Sequence, residues 1–133
     1  MKRVAVAFML FSVCSALPAY GDFARAREAY LMKDYPKALK MFMNEDDQAS
    51  LYMIGYMYDH GEGVAQDGKQ ATEWYAKAAD KGSVKAMYRL GVMYSNGYGI
   101  DKDLTEAKKW YKKAAFKGFL PAKEALKRLE EGK

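Results

Sequence analysis

Cysteine and histidine are nearly absent from this chain: its 133 residues contain one of each, Cys14 and His60. A zinc site built from Cys and His ligands and a disulfide framework are therefore excluded, and neither a cofactor nor a metal is expected. Proline is scarce as well, at three residues, while half of the chain is hydrophobic and 29% is charged. Low-complexity and disordered classes are thereby excluded, and the chain has enough apolar material to bury a core. The usual sequence marks of catalysis are missing too: there is no G-x-S-x-G elbow and no H-E-x-x-H helix. His60 beside Asp59, with Glu62 close by, has the residue types of a base and its orienting carboxylate. Adjacent residues on one helix point in different directions, however, so the pair is not expected to act in concert. Asp46 and Asp47 could serve as paired carboxylates, but they fall near a helix end with no cleft expected around them. The chain reads as a non-enzyme.

Long apolar runs are confined to one place. After Lys2 and Arg3, an uncharged and mostly apolar stretch runs from Val4 to Leu17 and is followed by Pro18, Ala19, Tyr20 and Gly21. A charged start, an apolar centre and small residues at the end are the pattern of a secretory signal peptide, with cleavage expected after Gly21. The apolar run is shorter than the about 20 residues that a helix needs to cross a bilayer, so a stable membrane span is not expected. A lipoprotein signal would need a small residue directly before Cys14, where Val13 stands. Cleavage would remove the lone cysteine and two basic residues, and the net charge would fall from +5 to +3. Export and so modest a charge argue against a nucleic-acid partner and point to the periplasm or the exterior. The remaining charge is uneven: Asn44 to Gly68 carries six acidic residues and no Lys or Arg, whereas ten basic residues face five acidic ones from Lys102 onward.

What the chain has in abundance is repetition. Ser50 to Lys85 and Ala86 to Pro121 align without a gap, and 15 of the 36 positions are identical. Self-similarity at such a period is the signature of a solenoid of stacked units. Each unit reads as two helices. Leu51, Ile54 and Tyr58, then Met87, Leu90 and Tyr94, recur at the three- and four-residue steps of one helical face. Gly55 and Gly91 lie within that face, where a glycine costs about 1 kcal/mol relative to alanine, so a neighbouring helix is expected to pack too closely for a side chain. The loops around Gly61-x-Gly63 and Gly97-x-Gly99 break these helices. Second helices are expected to start near Asp67 and Asp103 and to end at Gly82 and Gly118. Trp74 and Trp110 fall on their buried side among alternating large and small residues, and read as core.

The second unit contains Ala86, Leu90-Gly91, Tyr94, Gly97-x-Gly99-Ile100, Asp103, Glu106-Ala107, Trp110-Tyr111, Ala114-Ala115 and Gly118. This pattern resembles the Sel1-like repeat, a relative of the tetratricopeptide repeat. Upstream, Asp34 to Phe42 matches the start of the second helix at an offset of 33, as if a loop were three residues shorter. The expected organisation is a signal peptide over 1–21, a tetratricopeptide-like hairpin over 22–49, repeats over 50–85 and 86–121, and a polar capping helix over 122–133. The fold class is all-α, an α/α superhelix of helical hairpins, and the resemblance implies a right-handed solenoid of about seven helices.

In such families the first helix of each hairpin lines the inner, concave face. The resemblance places Tyr52, Tyr56, Asp59 and His60 there from one unit, and Tyr88, Val92, Ser95 and Asn96 from the next. Tyrosine offers a broad apolar body with one hydrogen-bonding tip, which suits a binding surface. Tyr52 and Tyr88 have an alternative place, between adjacent hairpins. The expected function is an exported scaffold that holds a protein or peptide partner in the bacterial envelope. The alternative is a protein that binds or modifies the cell wall. Exported relatives linked to that role carry a cysteine pair in each repeat, and this chain has none.

Overall fold

The computed structural model describes residues 20–132, and their regular structure is helical throughout. Seven helices follow in order: α1 (Tyr20–Leu31), α2 (Tyr35–Met43), α3 (Gln48–His60), α4 (Gly68–Asp80), α5 (Val84–Asn96), α6 (Leu104–Phe116) and α7 (Leu120–Glu130). Short connections turn each helix back on its predecessor. α1 packs with α2, α3 with α4 and α5 with α6, while α7 lies against α6. The array is an all-α solenoid of hairpins. No helix among the described residues is long and apolar enough to cross a membrane.

Side-chain caps set most helix starts. Asp47 accepts hydrogen bonds from the Ala49 and Ser50 N–H groups at 2.8 and 3.1 Å, Asp67 from Gln70 at 3.0 Å, and Asp103 from Thr105 and Glu106 at 2.9 and 3.0 Å. Each satisfies backbone donors that a helix start otherwise leaves open. Burial raises the pKa of the Asp47 carboxyl, but the hydrogen bonds from Ser50 and Ala49 outweigh it and hold that pKa below the ordinary value. At the other ends, Gly61 and Gly97 close α3 and α5 in the left-handed region, each at φ 67°.

The second glycine of each Gly-x-Gly loop joins one hairpin to the one before it. A Cβ on Gly63 would lie 2.7 Å from Tyr35 Cβ and 3.0 Å from its carbonyl carbon. A Cβ on Gly99 would collide with the Gly68 carbonyl and lie 2.7 Å from the Lys69 nitrogen. Tyr35 and Gly68 are the first residues of α2 and α4. The same backbone-to-backbone seat is thus used at both junctions, and only glycine fits it.

Two apolar cores run along the array. The N-terminal one gathers Ala26, Ala38, Phe42, Ile54 and Met57, and the C-terminal one Leu51, Tyr75, Leu90, Tyr111 and Ala122. Tyr58 and Trp74 touch both. Gly55 and Gly91 lie under the rings of Tyr75 and Tyr111: a Cβ there would stand 2.7 Å from Tyr75 Cδ1 and 2.5 Å from Tyr111 Cε1. The close neighbour is therefore one aromatic side chain of the paired helix.

Three features depart from the sequence reading. The 33-residue offset arises mainly in the second helix: α2 has 9 residues where α4 has 13, and the connection that follows α2 is one residue longer than that after α4. α1 and α7 begin earlier, at Tyr20 and Leu120. Trp74 and Trp110 are half-buried, whereas Tyr75 and Tyr111 take the core. One residue is about 100° of helix turn, so a stripe centred on Ala71, Tyr75 and Ala78 puts Trp74 on its flank. The two tryptophans have matching surroundings, with Lys77 4.0 Å above one ring and Lys113 4.1 Å above the other. The proposed signal peptide, apart from Tyr20 and Gly21, lies outside the described residues, as does Lys133.

Candidate functional site

Residues four apart on a helix lie one above another, and in α3 this stacks Tyr52, Tyr56 and His60 in a row. The Tyr52 and Tyr56 ring centres are 6.4 Å apart, and Tyr56 and His60 stack at 3.9 Å with 17° between their planes. His60 Nδ1 is 2.9 Å from the Tyr56 carbonyl oxygen. A carbonyl can only accept, so Nδ1 carries the proton, and in the neutral ring Nε2 remains as an acceptor. Asp59 comes closer to His60 than neighbours on a helix were expected to, with Oδ2 4.0 Å from Nδ1. Its hydrogen-bond partner is instead the Tyr75 hydroxyl, which donates at 3.1 Å. Burial, then the Asp59 charge, pushes the Tyr75 pKa upward, so the hydroxyl stays protonated and donating. Tyr30 repeats the device from α1: its hydroxyl donates to Glu62 Oε2 at 2.6 Å, and burial followed by that bond raises its pKa.

From the next hairpin, α5 adds Arg89. Its guanidinium carbon lies 5.9 Å from the centre of the Tyr56 ring, a cation–π distance. Burial disfavours the Arg89 charge, but a hydrogen bond with Tyr52 and the nearby Tyr75 and Asp59 oxygens keep its pKa above the ordinary value.

The second repeat is built more sparsely. Tyr88 meets Tyr111 at 5.8 Å and Phe119 at 5.3 Å. Ser95, which takes the place of Asp59, donates its hydroxyl to Tyr111 Oη at 3.3 Å. Val92 is half-buried against the C-terminal core, and Asn96 is exposed at the end of α5. Tyr52, Tyr56, Asp59 and His60 therefore form one cluster, Tyr88 and Ser95 meet around Tyr111, and Val92 and Asn96 belong to neither. Tyr52 and Tyr88 are half-buried, so each packs on its neighbours and keeps an open edge.

A groove of about 620 Å³ opens beside this cluster, where α1, α3 and α5 share a face; Phe23, Arg27, Leu31, Tyr52, Val84 and Lys85 are among its walls. No group of three or more His, Cys, Asp or Glu among the described residues is placed to hold a metal ion. Among the described residues no serine or threonine hydroxyl is hydrogen-bonded to His60, whose contacts are the Tyr56 carbonyl, the Tyr56 ring and Asp59.

Sequence reasoning missed Arg89, Arg27 and Tyr30. Arg89 stands where the first repeat has Met53, so its signal was a difference between units rather than a match. Arg27 and Tyr30 lie in a helix outside the 36-residue repeat, where no internal comparison reaches them.

Known proteins place this geometry in a family. The Sel1 repeat model matches residues 48–83 and 84–119, frames that begin at the starts of α3 and α5. A Sel1 repeat protein from Oxalobacter formigenes is 40% identical with a TM-score of 0.73, over 75% of this chain and 42% of its own. A protective antigen of uropathogenic Escherichia coli strains with an SLR fold is 28% identical with a TM-score of 0.71, over 78% of this chain and 25% of its own. This chain thus spans less than half the length of either. Helicobacter pylori cysteine rich protein B, at 23% identity and a TM-score of 0.61, covers 82% of this chain and 83% of its own and shares the fold. Among curated proteins none matches. The two repeats recognised by the family model make up more than half of the sequence, and the chain belongs to the Sel1-repeat family.

Proposed function

We propose that this chain is an exported scaffold of the bacterial envelope, and that it holds a protein partner along the face shared by α1, α3 and α5. One observation carries the binding part: Tyr52, Tyr56 and His60 form a continuous half-open aromatic row beside a groove of about 620 Å³. Rings held in place by neighbours present a large contact area with little entropy left to lose, as binding hot spots do. A solenoid face of this kind takes an extended segment or a helix through spread contacts. Support for export comes from the charged, apolar and small-residue succession over residues 1–21.

Cross-linking in intact cells, followed by recovery of the tagged full chain, tests the binding part. It should yield one defined envelope protein, and Tyr56→Ala and Tyr88→Ala should each weaken that complex by about tenfold or more, as loss of an aromatic anchor does. An undiminished complex in both variants, with both still folded, would remove the face from the interface. Export is tested separately by fusing residues 1–21 to alkaline phosphatase, which is active only outside the cytosol. The fusion should be active, and the released protein should begin at Asp22; an inactive fusion would end the envelope assignment.

A further inference from the structure

The walls of the groove pair apolar surface with cations that lack an ionic partner. Phe23, Leu31, Tyr52 and Val84 supply the apolar part, and Arg27 and Lys85 stand among them. Arg89 follows Lys85 by four residues along α5, on the same side of the helix, and is tied to Tyr52 and Tyr56. No ion pair within 4.0 Å among the described residues includes Arg27, Lys85 or Arg89. The carboxylates nearby are mostly engaged by other groups. Asp59 accepts from Tyr75, Glu62 accepts from Tyr30, and Asp47 caps α3, which leaves Glu28, beside Arg27 and Leu31 in an adjoining cavity but in no ion pair within 4.0 Å among the described residues. Asp59 is felt electrostatically at Arg89 but makes no ion pair with it. A half-buried guanidinium held over a ring, with Asp59 near enough to be felt but not in ion-pair contact, keeps N–H donors open to a carboxylate from outside.

Resting on the scaffold reading above, we infer that the groove takes an acidic peptide segment. An apolar or aromatic residue of that segment seats against Phe23, Tyr52 and Val84, and its flanking Asp or Glu side chains reach Arg27, Lys85 and Arg89. Charge sets this occupant apart from the chain's own residues 1–19, which contain Lys2 and Arg3 and no acidic residue.

Fluorescent peptides of roughly 12 residues, long enough to cross such a groove in extended form, provide the test with the full chain. All carry the same leucine–tyrosine centre, flanked by glutamate, glutamine or lysine. The glutamate peptide should bind at least about tenfold more tightly than the glutamine peptide at low salt, and the advantage should shrink as salt rises to roughly 0.5 M. Arg89→Gln should remove most of that advantage. Arg27→Glu with Lys85→Glu, both at exposed positions, should shift preference to the lysine peptide without altering the fold. Equal binding of all three peptides would overturn the charge preference and leave the scaffold reading standing. Absence of binding by any peptide would overturn the acidic-peptide inference, while the scaffold reading falls only if cross-linking recovers no partner or one indifferent to Tyr56→Ala and Tyr88→Ala.

Discussion

Gly91→Val should destabilise the protein by about 3 kcal/mol or more, which for a chain of this size lowers the melting temperature by roughly 10 °C. The Cβ alone would stand 2.5 and 2.6 Å from two atoms of the Tyr111 ring. That ring is 4% exposed and hemmed in by Tyr88 at 5.8 Å, so it has nowhere to swing. The second helix must instead move off the first, opening the C-terminal core along the whole of α5 and α6. Alanine at the same position gains about 1 kcal/mol in helix propensity and still meets the collision, so Gly91→Ala should lie between the two. Trimming the ring by Tyr111→Leu should restore part of the loss in the alanine background. An unchanged thermal melt for Gly91→Val would show that this helix pair is not packed as described.

Gly99→Val should be nearly as costly, by a different route. The residue has φ +72°, where a β-branched side chain is strained by about 1–3 kcal/mol. Its Cβ would also run into the main chain of Gly68 and Lys69, which has no flexible end to bend aside. The expected result is a loss of about 3 kcal/mol or more and a separation of the last hairpin from the one before it. Gly118→Ala is the control: φ is +87° there, but no atom lies within 4 Å of the added Cβ. It should cost only about 1 kcal/mol, the backbone term alone. If the two variants melt together, the junction between hairpins is looser than the structure has it.

Much of this architecture was legible because the sequence repeats itself. Asp67 and Asp103, Gly55 and Gly91, and Gly82 and Gly118 announce caps, close approaches and turns through spacing and residue type, and each occupies such a place. The depth of the tryptophans was not legible, since Trp74 and Tyr75 are adjacent, equally apolar by eye, and separated only by their angle around α4. The proposed binding face was half legible. Tyr52, Tyr56 and His60 could be placed by four-residue steps, but the partners that orient them could not. Tyr75 reaches Asp59 from a different helix, Tyr30 reaches Glu62 across 32 positions, and Arg89 arrives from the next hairpin. Those pairings depend on how hairpins lean together, which one strand of text does not record.

The seats of Gly63 on Tyr35 and of Gly99 on Gly68 are points of contact between successive hairpins that involve none of the residues lining the groove. The array therefore works as a ruler whose graduations are cut in peptide backbone. Exchange of the side chains standing at each mark alters the chemistry on display, while the interval between marks stays constant.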